Sequence, residues 1–197
     1  MSFIPDHTDT PFLLAHRGIS QTFDPTGVTN STCTATRIRP PTHEYLENTI
    51  DSIAASIKLG ATVIEVDVHP TKDGEFAVFH DWTLECRTNG SGITREQTLA
   101  YLKSLDIGYG YTADGGRSYP LRGKAVGQMP SLKEVLVAFP EQPLLINIKS
   151  NDANEGELLS EYLNSLPEGR KALIAVYGGE RPIEVLRERT PGVVTMS

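Results

Sequence analysis

The sequence predicts an α/β fold on a largely parallel sheet, and three observations carry that expectation. Short apolar runs alternate along the chain with segments of helical periodicity. At 39% hydrophobic and 22% charged residues, the composition is neither a disordered nor a membrane one. A length of 197 residues suits one domain with a large core, and no linker marks a boundary within 1–197. Alternating strand and helix implies right-handed crossovers. Two shapes fit, a doubly wound open sheet and a (β/α) barrel.

Taken in order, the predicted strands are Phe12 to Ala15, Thr62 to Val68, Phe76 to Phe79, Leu144 to Ile148, Leu173 to Val176 and Val193 to Met196. Between them, Glu47 to Leu59 places Ile50, Ile53, Ala54 and Ile57 on one stripe, the spacing of an amphipathic helix. Further helices are expected at Thr94 to Ser104, Ser131 to Phe139, Glu155 to Leu166 and Glu180 to Arg189. Ser131 and Glu134 match a capping box. Residues 19–46 and the glycine- and tyrosine-rich 108–127 lack clear periodicity. Loops this long inside a domain usually cover a site or are disordered.

Charge and segment features narrow the classes. Lys plus Arg is 18 and Asp plus Glu is 25, so the net charge is 18 − 25 = −7, which argues against a nucleic-acid surface. No apolar run approaches the roughly 18 residues of a membrane span. The start of the chain lacks the basic-then-apolar pattern of a signal peptide. A cytoplasmic protein is expected for the chain as given, with a periplasmic or secreted location left open for a longer parent. Cys33 and Cys86 are compatible with one bridge or with two buried thiols.

The strongest chemical signal lies in the second strand, Thr62 to His69. Side chains alternate across a strand, so Glu65 and Asp67 share one face while Ile64, Val66 and Val68 share the other. Two carboxylates side by side are expensive to bury unless a cation or a basic partner sits between them. Oxygen ligands favour a hard divalent ion, Mg²⁺ or Ca²⁺. In the fourth strand Leu145, Asn147 and Lys149 share a face, and the lysine at its end is a good anion contact. His16 and His80 each follow an apolar run, at the sheet edge where α/β folds gather their ligands. His69 reads as a rim residue; His7 and His43 are weak signals, as are the Asn30 and Asn89 sequons. No nucleotide-binding glycine motif is present, so the set points to phosphoryl transfer without a nucleotide. Two imidazoles could move protons while a cation, Arg17 and Lys149 neutralise a phosphate.

His16-Arg17-Gly18, Glu47-Asn48-Thr49, Glu65-Val66-Asp67-Val68, Thr71-Lys72-Asp73-Gly74, Val78-Phe79-His80-Asp81 and Arg87-Thr88-Asn89-Gly90 follow one another in an order and spacing that resembles the glycerophosphodiester phosphodiesterase family. Met129-Pro130-Ser131-Leu132 and Ile148-Lys149 also look like that family. The resemblance implies a (β/α)₈ TIM barrel that hydrolyses glycerophosphodiesters to an alcohol and glycerol 3-phosphate, commonly through a cyclic phosphate. By it, His16 and His80 are the acid/base pair, Arg17 and Lys149 hold the phosphate, and Glu65, Asp67, Glu47 and Asn147 form the metal side. The family usually has glutamate where this chain has Asn147, so altered metal binding is expected. A phospholipase D-like or lysophospholipase D-like activity, and an inactive barrel fragment, are the alternatives. The partner is a small molecule rather than a nucleic acid or an inserted membrane. Since a (β/α)₈ barrel takes about 250 residues, the domain is expected to be truncated after about six strands, incomplete at its C-terminus.

Overall fold

The computed structural model describes residue 3, residues 12–29 and residues 31–197. His7 and Asn30 lie outside them. The strands are β1 (Leu14–His16), β2 (Val63–Pro70), β3 (Phe76–Val78), β4 (Leu144–Ile148), β5 (Ile174–Gly178) and β6 (Val194–Met196). The helices are α1 (Ile50–Lys58), α2 (Leu99–Ser104), α3 (Leu132–Ala138), α4 (Ala153–Asn164), α5 (Glu168–Lys171) and α6 (Glu180–Arg189), with single 3₁₀ turns at Thr34–Arg37 and Thr94–Glu96.

The sheet runs β1-β2-β4-β5-β6, every neighbouring pair parallel, with helices between successive strands. This is the progression of staves in a (β/α) barrel, here with free edges at β1 and β6 among the described residues. One expectation is corrected. β3 is not a stave: it folds back antiparallel onto the end of β2, pairing Val68 with Val78 and Pro70 with Phe76. The reason is connection length. A parallel crossover needs a dozen or more residues, whereas here Thr71 N–H already donates to the Glu75 carbonyl (2.8 Å) and closes a tight turn. Six strands therefore give five staves and one hairpin arm.

Caps explain where the helices begin. Thr49 Oγ1 accepts from Ser52 N–H (3.2 Å), so α1 starts at Ile50 and leaves Glu47 and Asn48 outside it. The expected helix at Thr94 to Ser104 splits in two, because Thr98 accepts from Tyr101 N–H and restarts the chain as α2. The Ser131–Glu134 capping box forms as expected at the head of α3.

Three apolar clusters hold the fold. Ile64, Val66, Val68, Leu144, Ile146, Ile148 and Val176 face outward onto Ile53, Val135, Leu159 and Ile183 of the helices. Helices α4 and α6 approach closely because Gly156 sits against Pro182, where a Cβ would lie 2.5 Å from the Pro182 carbonyl oxygen. On the inner face, Val63, Leu145, Ala175 and Phe3 close the floor of the sheet. A third cluster takes Ala35, Ile38 and Leu46 from the first long loop and Tyr111, Leu121 and Ala125 from the second. They pack with Phe79, Leu84 and Leu102, so both loops are packed parts of the domain.

Candidate active site

Above the apolar floor, the inward positions of the staves turn polar. Register sets His16 beside Glu65, and Asp67 beside Asn147, which is in turn beside Tyr177. His16, Glu65, Asn147 and Tyr177 each stand two residues above an apolar or small residue on their own strand, and Asp67 stands two above Glu65, so strand alternation alone brings them to one edge.

Asp67 is the hub, fully buried. Its Oδ2 lies 2.9 Å from Arg17 Nε and accepts from Asn48 Nδ2 at 3.1 Å. Its Oδ1 accepts from Asn147 Nδ2 at 2.9 Å and lies 3.3 Å from Lys149 Nζ. Burial acts to raise the Asp67 pKa, but the Arg17 and Lys149 charges overcome it and hold the group below its ordinary value. Glu65 is the opposite case. Burial, then the Asp67 charge, push it up to about 7, although Tyr177 OH donates to its Oε1 at 2.8 Å.

The backbone pays attention to this centre in its own way: Arg17 and Asn48 both adopt positive φ, +62° and +60°. Non-glycine residues there are uncommon and cluster at functional sites. The conformation lets Arg17 N–H donate to both the Glu65 carbonyl (3.0 Å) and its Oε2 (3.2 Å), while Asn48 N–H donates to the Arg17 carbonyl (2.8 Å). Gly18 follows at φ +75°, and a Cβ there would stand 2.6 Å from Ser52 Oγ. A side chain at position 18 would therefore push α1 away from the site.

The two histidines are mounted differently. His16 Nε2 reaches to 3.9 Å from Glu65 Oε2, with 62% of its side chain exposed. Partial burial, then the Arg17 charge, lower its pKa from the ordinary value. His80 hangs from the hairpin arm just after β3, its Nδ1 2.6 Å from Asp81 Oδ1. Asp81 Oδ2 pairs with Arg87 Nε at 2.9 Å. Arg87 reaches on to Glu47 Oε2 (3.3 Å), and Glu47 Oε1 accepts from Arg17 NH1 (3.2 Å).

The expected residues thus divide into two groups. Glu65, Asp67, Asn147, Lys149, Arg17 and His16 meet around the end of β2, while His80 joins them through Asp81, Arg87 and Glu47. His69 corrects an expectation: it is fully buried rather than on the rim. It packs edge-on to Trp82, and its Nε2 lies 3.3 Å from the His80 carbonyl oxygen. Burial pushes its pKa down to about 4. His43 contacts Gln21, away from this set. Asn48, Asp81, Arg87, Tyr111 and Tyr177 carry site contacts that sequence reasoning missed. Tyr177 was findable by running the β5 alternation two residues further. Cys33 and Cys86 are joined as a disulfide. A cavity of about 590 Å³ lies elsewhere, between α1 and α3, bordered by Ile50, Met129 and Val137. It holds none of these groups, so the chemistry is read from the sheet edge.

A parallel βα sheet with histidines, carboxylates and cations converging at the C-terminal ends of its strands defines a (β/α)-barrel protein with its site in the usual place for that fold. Within that class, the chain belongs to the glycerophosphoryl diester phosphodiesterase family, whose model matches residues 16–174. It is 37% identical over 103 residues to a glycerophosphodiester phosphodiesterase of Caldanaerobacter subterraneus, a match over 52% of this chain and 39% of that protein. It is 35% identical over 113 residues to human lysophospholipase D GDPD1, covering 55% and 34% of the two chains. The chain therefore matches well under half the length of these curated relatives. The crystal structure of a glycerophosphoryl diester phosphodiesterase domain from Mycobacterium tuberculosis shares its fold at a TM-score of 0.69 and 21% identity, over 96% of this chain and 60% of that one. Another neighbour, an Oleispira antarctica phosphodiesterase solved with sn-glycerol-3-phosphate, has a TM-score of 0.63 at 21% identity and covers 94% and 64% of the chains.

Proposed function

We propose that the protein hydrolyses glycerophosphodiesters to an alcohol and glycerol 3-phosphate with a divalent cation, Mg²⁺ or Ca²⁺. The observation that carries this reading is the meeting of Arg17, Lys149 and Asn147 on Asp67, beside Glu65 and His16. Membership of the family and the glycerol-3-phosphate-bound neighbour support it.

The donor chemistry fits a hard cation. Two buried carboxylates share one face of β2, and Glu65 is pushed up to about 7 largely by burial and by Asp67. An added positive charge is what allows both to ionise together. Hard divalent ions take oxygen ligands, and Mg²⁺ is commonly held by one or two carboxylates together with substrate phosphate. Glu65, Asp67, Glu47 and Asn147 would hold it, and it would supply charge neutralisation at the phosphate.

Arg17 and Lys149 bind the phosphate oxygens. His16, kept neutral at pH 7 by its lowered pKa, takes the proton from the glycerol 2-hydroxyl as that oxygen bonds to phosphorus. The bond from phosphorus to the head-group oxygen breaks, and His80 gives that oxygen a proton. Water then opens the cyclic phosphate with the two imidazoles exchanging roles, yielding glycerol 3-phosphate.

The similarity to lysophospholipase D GDPD1 favours one second reading, in which a lysolipid is the substrate. Glycerol 3-phosphate release from glycerophosphocholine, abolished by chelator and restored by cation, is the expected result. Turnover of lysophosphatidylcholine alone selects the second reading, and a folded protein that turns over neither is a non-catalytic domain. The Cys33–Cys86 disulfide weighs towards an oxidising compartment rather than the cytoplasm. Among the described residues no helix is long and apolar enough to cross a membrane. The truncated-barrel reading also stands as a proposal, with the β1 and β6 edges completed by further staves in a longer parent.

A further inference from the structure

We propose that Arg87 is a positioning residue that fixes the acid/base imidazole of His80 relative to the phosphate-binding Arg17, and that the first long loop holds Arg87 in that role. The inference rests on the functional reading above for what His80 and Arg17 do, but not for how they are linked.

The link is a chain of alternating charge. His80 Nδ1 meets Asp81 Oδ1 at 2.6 Å, Asp81 Oδ2 meets Arg87 Nε at 2.9 Å, Arg87 NH1 donates to Glu47 Oε2 at 3.3 Å, and Glu47 Oε1 accepts from Arg17 NH1 at 3.2 Å. Arg17 then pairs with Asp67. This guanidinium carries the charged link between two halves of the site on different supports, the hairpin arm and the staves, which also touch where His69 meets Trp82 and the His80 carbonyl.

Arg87 has little freedom to do anything else. Its side chain is 4% exposed. NH1 also donates to Tyr111 OH (2.8 Å), NH2 donates to Thr34 Oγ1 (2.9 Å), and the guanidinium lies 5.6 Å from the centre of the Tyr111 ring. Burial lowers its pKa, but the charges of Glu47 and Asp81, with the hydrogen bond to Tyr111, more than reverse that, so it stays a cation. The planar fork can serve two carboxylates in fixed directions, which a lysine ammonium cannot do as well.

The mount is doubled at adjacent residues. Cys33 is bonded to Cys86, and the next residue on each side, Thr34 and Arg87, is joined by a hydrogen bond. The loop is thereby fastened alongside the segment that carries the guanidinium. Asp81 gains the most. Pinned by Arg87, its carboxylate keeps the proton of His80 on Nδ1 and leaves Nε2 for the reaction.

The test uses the full chain with ¹⁵N-labelled histidine, and compares wild type with Arg87→Met, Arg87→Lys and Thr34→Val. In the metal-free wild type, the His80 Nδ1–H should appear as a strongly downfield proton assigned through loss in Asp81→Asn. Arg87→Met should move or broaden that signal, and Arg87→Lys should restore part of it. On glycerophosphocholine with cation, Arg87→Met should lower kcat by about 100-fold, the order expected for a misplaced catalytic group, with KM changed far less. Arg87→Lys should recover about tenfold of that loss. Thr34→Val, which leaves every charge in place, should give a small change in the same direction in both readouts. An unaltered His80 signal and unaltered kcat in folded Arg87→Met overturn the proposal. Should Arg87→Met fail to fold, Thr34→Val decides, and wild-type behaviour there overturns it equally. If the NMR changes occur but wild type turns over no glycerophosphodiester, the positioning stands and the functional reading fails.

Discussion

Asn147 occupies the β4 position opposite Asp67, where its amide donates to a carboxylate instead of adding a charge of its own. The residue is polar, inward-facing and well placed, yet neutral, so the proposed metal side of the site carries one negative charge fewer than a glutamate would give it. Asn147→Glu should lower the cation concentration for half-maximal activation by about tenfold or more, since each 1.4 kcal/mol is a factor of ten. Unchanged metal dependence in a folded variant rules out this role. His69 offers a second residue-scale prediction, this time for stability. Its pKa falls to about 4 in the fold from an ordinary 6.5, chiefly through burial. The unfolded chain therefore binds more protons between those values, so this contribution is complete above pH 6.5 and is lost as pH falls towards 4. The span corresponds to roughly 3 kcal/mol at 1.36 kcal/mol per unit. His69→Gln should flatten the pH dependence of denaturant unfolding between pH 7 and 4.5. Glu65 acts with the opposite sign. Raised to about 7, it favours the fold at low pH and loses that contribution as pH rises through 7, so Glu65 partly masks His69 in the wild type. The Glu65→Gln background is the cleaner one in which to measure the His69 slope.

At the scale of elements, the hairpin arm and the first long loop are the parts that carry the site beyond the staves. The disulfide spans 53 residues of sequence. Closing a loop of that size stabilises by about 4 kcal/mol on the chain-entropy account. Cys33→Ser with Cys86→Ser should therefore lower stability by up to that amount in chemical denaturation, and treatment of wild type with a thiol should have a similar effect. A shift below about 1 kcal/mol would show that packing of Ala35, Ile38 and Leu46 holds the loop unaided. These same elements mark where sequence reasoning stops. Glu65 and Asp67 were legible because period-two alternation needs only their own strand, and His16 because an apolar run ends at it. The direction of β3 was not, since a three-residue strand has no distinctive periodicity and only the shortness of its Thr71 to Glu75 connection betrays the reversal. Arg87 matched a recognisable motif, but its partners Thr34, Glu47 and Tyr111 come from separate loops. Pairing at such separations is set by tertiary packing, which local pattern does not encode.

For the whole molecule, the sheet is the limiting feature. Five parallel staves leave β1 and β6 without outer neighbours among the described residues. Phe12, Leu13 and Leu14 beside one edge are about half exposed, and Val194 and Met196 at the other are 43% exposed. Unpaired apolar edges recruit other chains. The protein of this length should self-associate as concentration rises, and Leu13→Lys with Val194→Lys should reduce that in sedimentation or light scattering. A concentration-independent monomer with wild-type edges would contradict the expectation. The (β/α) architecture itself was legible from the alternation of strand and helix, as was the edge of the sheet that bears the chemistry. The number of staves was not, because β3 imitates one in composition.

The position of the disulfide also bears on the order in which the chain is made. Cys33 and Cys86 enclose α1, β2 and β3, and everything they join has been synthesised before β4 begins at Leu144. Chains emerge and fold from the N-terminus onward. In an oxidising lumen, the covalent ring can close while β1 and β2 are the only staves present. The roof of the site is then set first, and the later staves are fitted beneath a cover that is already in place.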